Sequence, residues 1–399
     1  MSGLLVKSTL IMKENLEVMN ERGITIPVVL GGAALTRRYV EDDLKSLYQG
    51  TLFYARDAFA GLHTMDKLMS GDGHAGEEPG REALSAVSGN GHETEEAEEL
   101  LAEEAKLGVR RSRRLTKISG DTTHTNRSEV SSNIAIPRPP FLGSRAIHDI
   151  SLPDVFAYIN ETALFKGQWQ FKQGRKSAEE YQAFVAKHVR PVYEDLKQRS
   201  EREDLLVPKA VYGYFHCQSS GNDLIVYDES QKVELTRFTF PRQPSGKRLC
   251  LADYFASVES GIMDVVAFHL VTMGRRASEY SHELFKSDNY AEYLYFHGLS
   301  VECAEALAEF WHKKIREELG IAAGDAKNVN ELFRQGYQGS RFSFGYPACP
   351  NLEDQEKLFD LLDPSRIDVE LTEEFQLNPE QSTSAIIMHH PEARYFSIE

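Results

Sequence analysis

The chain has 399 residues, 41% apolar and 27% charged, enough for two or three domains that each bury a core. A formal charge of −16 argues against binding a phosphate backbone, which needs a clustered basic face. No stretch approaches the roughly 18–20 apolar residues that span a bilayer.

The first residues, MSGLLVKSTLIMKENLE, show no basic segment ahead of an apolar core and no small-residue cleavage site. A cytoplasmic protein without a signal peptide is therefore expected. Residues 1–70 alternate apolar runs with amphipathic stretches. A run at Gly3–Val6, a helix over Leu10–Arg22, a strand at Ile26–Leu30, a helix over Thr36–Leu47, a strand at Thr51–Ala55 and a helix to Met69 predict parallel βα units.

Over 71–140 the aromatics vanish, and Gly, Ser, Glu, Arg and Thr dominate up to Ile136-Pro137-Arg138-Pro139-Pro140. Such a segment cannot bury enough surface to offset chain entropy, so it reads as a disordered charged linker with one solvated helix near Glu95–Leu107. Its basic cluster, Arg110, Arg111, Arg113 and Arg114, follows an acidic run and reads as part of a solvated polyampholyte.

From Phe141 onward the pattern is that of a folded domain. A capped helix opens near Ser177 and is interrupted at Pro191. Strands follow at Ala210–Cys217, Leu224–Asp228 and Glu234–Phe240, the first two joined through Ser219-Ser220-Gly221-Asn222. A strand over Met263–Met273 and helices over Arg276–Phe285 and Tyr290–Leu319 come next, and short strands at Ser384–His389 and Tyr395–Ile398 close the chain. The expected fold is thus an α/β part, a partial doubly wound parallel sheet, followed by an α+β domain (141–399) with a mainly antiparallel sheet and long helices. Cys217, Cys250, Cys303 and Cys349 form no C-x-x-C pair, which predicts reduced, mostly buried thiols.

Two places carry chemistry. Ser8 and the turn Gly31-Gly32-Ala33 fall at expected strand ends, where a doubly wound sheet binds ligands; the glycines suit either a close ligand approach or simply a tight βα turn. Near the C-terminus, Arg341-Phe342-Ser343-Phe344-Gly345-Tyr346-Pro347-Ala348-Cys349-Pro350 sets one glycine and two prolines within six positions. These fix an irregular backbone beside an arginine able to fork onto a carboxylate, although a proline-rich loop capped by a surface arginine would look the same.

The second string resembles the signature of the activation domain of cobalamin-dependent methionine synthase, and similarity extends from about Pro140 through Tyr158-Ile159-Asn160-Glu161-Thr162, Cys250–Tyr254 and Ala304–Glu309. The N-terminal segment, through Ser2-Gly3-Leu4-Leu5, Ile26–Ala33 and Tyr54–Ala58, resembles the second half of that family's cobalamin-binding domain. The resemblance implies S-adenosylmethionine binding by Asn160, Glu161, Arg341, Gly345, Tyr346, Ala348, Tyr395 and Phe396, with Arg341 on the carboxylate. It implies a cobalamin tail lined by Ser2, Ser8, Gly31, Gly32 and Ala33. Some members carry an aspartate where Asn160 stands, so charge assistance to the ligand's ammonium is reduced here, or passes to Glu161. The family's axial histidine loop, Asp-x-His-x-x-Gly, lies upstream of this sequence, and Asp72-Gly73-His74-Ala75-Gly76 misses its spacing, so an incomplete cobalamin site is expected.

The implied activity is the reactivation half of a methyltransferase in methionine biosynthesis, working with the remaining modules or an upstream subunit and with flavodoxin or an equivalent reductase. The alternative is a stand-alone regulatory subunit. The residues outside these motifs read as structural: Leu299, Cys303, Ala306 and Phe310 as core, Glu305 as solvated unless it faces the ligand, and His389 and His390 as local hydrogen-bonding groups.

Overall fold

The computed structural model describes residues 6–31, 35, 37, 39–55, 60–61, 64–65, 68, 127–287 and 289–398. The chain divides into two units, Met1–His124 with Lys172–Lys187, and Thr125–Phe171 with His188–Glu399.

In the first unit, helix α1 (Val6–Glu21) places Met12 and Leu16 on one stripe against Val28, Leu30, Val40, Leu44 and Leu52. Strand β1 (Val28–Gly31) pairs in parallel with β2 (Leu52–Ala55), Val28 opposite Leu52. Asn20 ties the end of α1 to the turn before β2: its Nδ2 donates to Leu47 O at 2.8 Å, and its Oδ1 accepts from Gln49 N at 2.9 Å. Tyr39–Leu44 winds as a π-helix, with Lys45 N reaching Val40 O. Ser8 is not at a strand end as expected. It lies inside α1, because nothing between Val6 and Met12 breaks the helical period. The rest of the run expected at Gly3–Val6, with Ser2, Gly32, Ala33, His74 and the Glu95–Leu107 helix, lies outside the described residues. A two-turn helix, Ala178–Phe184, also belongs to this unit and opens on a reciprocal capping box between Ser177 and Glu180.

The second unit is built on an antiparallel sheet of seven strands. These are β3 (Gly143–Ile147), β4 (Lys209–Ser220), β5 (Asp223–Tyr227), β6 (Glu234–Thr239), β7 (Asp264–Thr272), β8 (Ser340–Ser343) and β9 (Ser382–Met388). Their order is β6-β5-β4-β7-β9-β8, with β3 also on β4. The long β4 makes this possible: one edge pairs Ala210–Tyr214 with β3 and His216–Ser220 with β5, while the other carries β7. Gly221, at φ 62°, supplies the left-handed residue of the β4–β5 turn.

Strand β7 is buried at all nine positions, so both faces of the sheet are covered. On one face Val266, Phe268 and Leu270 join a core with Leu358 and Leu362 of a C-terminal helix and with Cys250–Phe255. On the other lies the long helix Tyr290–Glu318, packed on β7 and β9. The α-helices of five or more residues in this unit are α2 (Leu152–Phe156), α3 (Arg190–Arg202), α4 (Arg275–Lys286), α5 (Tyr290–Glu318) and α6 (Asp354–Leu362). A mixed fold with a mainly antiparallel sheet and helices is thus observed, and all four cysteines are free and buried.

The helix that opens at Ser177 breaks ahead of Pro191 as expected: its α-helical turns end at Phe184, a π-helix spans Val185–Val189, and Pro191 sits in the first turn of α3, where its missing N–H costs nothing. Two local expectations change. Tyr395–Ile398 forms no ladder. The Tyr395 amide donates to the Gln335 side chain at 3.1 Å, and the segment follows the core irregularly. Residues 127–140, expected within the linker, are fastened to the domain: Arg127 donates to the carbonyls of Asp253 and Phe255 at 2.8 and 2.6 Å, and Ser128 N donates to Asp253 Oδ2 at 3.1 Å.

Candidate ligand site

Strand β8 carries the site because alternation divides its side chains. Phe342 and Phe344 enter the core, while Arg341 points to the α5 side of the sheet. Beyond β8 the chain turns sharply: Gly345 N donates to Cys349 O at 2.9 Å, Cys349 N to Tyr346 O at 3.0 Å, and Cys349 Sγ to Ser343 O at 2.9 Å. Gly345 is favoured here by its backbone, and Leu352 would have to shift to admit a side chain. The Gly345 φ is 90°, and a Cβ would stand 2.8 Å from Leu352 Cδ2. Ala348 is buried beneath the turn, leaving the Tyr346 ring half exposed.

Arg341, 19% exposed, makes two ion pairs with α5. Its Nη2 reaches Glu305 Oε2 at 3.3 Å, and its Nε lies 3.5 Å from Glu309 Oε2. Glu305 is 44% exposed and Glu309 only 7% by side chain. Tyr346 lies within electrostatic range of Glu305, Tyr395 and Arg341; burial above all, then Glu305 and Tyr395, raise its phenol above the ordinary range. Tyr395, also half exposed, stacks flat on Phe342 at 5.8 Å and 16°. Arg341 and Glu305 are thus paired, and Tyr346, within electrostatic range of both, also lies within range of Tyr395.

Below these residues lies a polar layer that the sequence did not reveal. Glu302, Glu309, His312 and Arg316, all buried, flank the more exposed Glu305 at helical spacing along α5. Burial, then Glu305, pushes Glu302 up to about 7. Burial raises the Glu309 carboxyl despite Arg341 and Arg316 beside it. His269 of β7 is pushed down to about 3 by burial and by Arg341, and His312 is lowered by burial and by Arg316 and Arg341, so both rings are neutral. Signals for this layer were present as helical spacing, but helix-borne glutamates are ordinarily solvated, and the reach of Arg341 from β8 to Glu305 and Glu309 is what separates these from others.

The remaining assigned residues are placed differently. Asn160 Oδ1 accepts from Ala163 N at 3.1 Å, capping a local turn. Glu161 is gripped at both oxygens by Arg190, with Nη2–Oε2 at 2.7 Å. Phe396, 8% exposed, packs on Tyr254 and Phe342 in the core while its neighbour Tyr395 faces out. His389 does not serve a local bond: its Nε2 donates across the sheet to the buried Asp264 Oδ1 at 2.7 Å. His390 bonds both to Ser131 O and to Glu392 N. Of the residues assigned to cobalamin, Gly31 packs so closely on β2 that a Cβ would lie 2.7 Å from Ala55 O, and Ser8 is helical.

The model of the vitamin B12-dependent methionine synthase activation domain matches residues 151–399. The chain belongs to that family. Methionine synthases of Mycobacterium tuberculosis and Mycobacterium leprae are each 44% identical to it, over 416 and 419 aligned positions that take in 100% of this chain. The chain spans 34% of the length of these relatives, about a third. Among solved structures, the MetH reactivation domain bound to AdoHcy matches with a TM-score of 0.60 and 26% identity, over 66% of this chain and 84% of that one. The region matched by the family model contains the Arg341 loop, the Glu305 helix and Tyr395.

Proposed function

We propose that the second unit binds S-adenosylmethionine on the face formed by Arg341, Glu305, Tyr346 and Tyr395, and serves the reductive reactivation of a cytoplasmic methionine synthase. The observation that carries this is Arg341: a guanidinium held from beneath by a buried carboxylate, beside two exposed aromatic rings, in a family whose solved relative holds AdoHcy. Its outer edge takes the ligand carboxylate as a charge-assisted fork. Asn160 and Glu161 are already engaged by Ala163 and Arg190, so the ammonium is left to Glu305, the partly exposed acid next to Arg341. The faces of Tyr346 and Tyr395 suit an adenine ring or a sulfonium, which ring quadrupoles attract. Gly345 and Ala348 act through the backbone they shape.

In this reading the protein's contribution is to orient the donor methyl and exclude water from it. Cobalamin, when supplied by the rest of the enzyme, is the methyl acceptor. The remaining modules of methionine synthase and a flavodoxin-like reductase are the proposed partners, with folate and homocysteine chemistry residing outside this chain. Calorimetry of the full chain with S-adenosylmethionine tests the site: Arg341→Ala should weaken binding roughly 10–100-fold, the worth of a hydrogen-bonded charged pair. Equal affinity of the two proteins rejects the assignment.

A further inference from the structure

Glu309 occupies an unusual position among the acids of α5. It is buried, and its carboxylate lies between two guanidiniums, Arg341 Nε at 3.5 Å and Arg316 Nη1 at 3.9 Å. Among the described residues its Oε1 has no hydrogen-bond partner, and neither has Arg316 Nη1. Oε1 therefore acts on Arg316 chiefly through charge, while Oε2 faces the Nε of Arg341. Arg316 is itself immobile: it is fully buried, its Nε and Nη2 hold Asp325 Oδ2 at 3.0 and 2.9 Å, and its guanidinium lies 3.9 Å from the Tyr337 ring centre. Asp325, Arg316, Glu309 and Arg341 thus form a row of alternating charge that starts from a fixed pair inside the domain and ends at the site. His269 and His312 beside it are neutral, so the row contains two positive and two negative groups.

We infer that Glu309 is a positioning residue for Arg341: it holds the Nε edge from inside, so that the Nη edge alone faces the ligand. This rests on the reading of Arg341 given above and extends it. The two carboxylates on Arg341 then have different tasks. Glu305 is partly exposed and can swing off Nη2 when a ligand carboxylate arrives. Glu309 is enclosed and anchored through Arg316, so it cannot leave. A guanidinium held on one edge by a fixed acid loses little freedom when a ligand takes the other edge, which is how preorganisation raises affinity.

The test is a double-mutant cycle on the full chain, with S-adenosylmethionine binding measured by calorimetry and folding checked by circular dichroism. Glu309→Gln keeps the shape and removes the charge; it should weaken binding roughly tenfold, while Arg341→Ala combined with Glu309→Gln binds no more weakly than Arg341→Ala alone. A purely structural acid would give losses that add, and additive losses, or Glu309→Gln binding like wild type, overturn the inference. Should Glu309→Gln fail to fold, Glu309→Asp decides: one methylene shorter but still charged, it should bind several-fold more weakly through the same non-additive path, and unchanged affinity rejects the role. Failure of the Arg341 reading itself is separately visible, since Arg341→Ala alone would then bind normally.

Discussion

Glu302 has no hydrogen-bond or ion-pair partner among the described residues, and burial, with Glu305 nearby, pushes its carboxyl from 4.5 up to about 7. Between those values the folded protein holds a proton that the unfolded chain has released, so this residue's contribution to stability falls as pH rises from 4.5 to 7 and stays low above. Replacing it with glutamine removes the titration. Urea unfolding should show Glu302→Gln gaining on wild type by on the order of 3 kcal/mol more at pH 8 than at pH 5. An equal gain at both pH values would mean that the carboxyl is not buried as described. His269 has the opposite dependence, losing stability as pH falls from 6.5 toward 3, but it is common to both proteins and cancels. Gly345 makes a second test at this scale: with φ at 90° and Leu352 in the way, Gly345→Ala should cost about 1–2 kcal/mol in the same assay and loosen the loop. Gly345 and Arg341 were legible in the sequence because glycine and proline announce special backbone and arginine announces a carboxylate partner. Glu309 was not, since nothing in a helical glutamate tells which side chain from another element will reach it.

At the level of elements, α5 shows how far periodicity reads and where it stops. Its limits, Tyr290–Glu318, fall within one residue of those expected, and Leu299, Cys303 and Ala306 are buried. The antiparallel β4, β5 and β7 were legible for the same reason, as long alternating or apolar runs. Strand β8 and helix α6 were missed because the proline-rich string between them masks the period on both sides, and Tyr395–Ile398 was misread because a two-residue alternation, Tyr395 out and Phe396 in, occurs in any extended backbone. Gly298 gives α5 a specific prediction. An exposed helical glycine gains about 1 kcal/mol on replacement by alanine. Here a Cβ would stand 3.0 Å from Trp169 Cδ1 and Nε1, and the indole is fixed by its bond to Tyr295 O at 3.0 Å. Trp169 is also enclosed by Phe165 and Tyr193, so it cannot give way. Gly298→Ala should therefore lower the melting temperature, against helix propensity; a rise would show that the ring moves aside.

On the scale of the whole molecule, the feature least visible in the sequence is where the C-terminal unit starts. Composition placed the folded boundary at Phe141, because 127–140 is short of aromatics and rich in proline, but hydrogen bonding to a distant turn leaves no trace in composition. Asp253, 2% exposed, is the anchor: Arg242 holds both its oxygens, and Ser128 N adds a third donor to Oδ2. Arg127 completes the strap on the carbonyls of Asp253 and Phe255, Val130 packs on the core, and Ser131 O accepts from His390 Nε2 at 2.9 Å. Removing residues 1–140 therefore strips donors from a buried carboxylate and from two carbonyls, whereas removing 1–126 leaves them in place. The loss is on the order of 2 kcal/mol, since each unsatisfied buried group costs about 1 kcal/mol or more and water recovers part. For a unit of this size that corresponds to about 4–8 °C in melting temperature. Thermal melts of chains starting at Arg127 and at Phe141, followed by tyrosine and tryptophan fluorescence, should differ by that amount, and Arg127→Ala in the longer chain should reproduce roughly half of it. Coincident melts would show that the strap contributes no stability, and would return the boundary of the unit to Phe141.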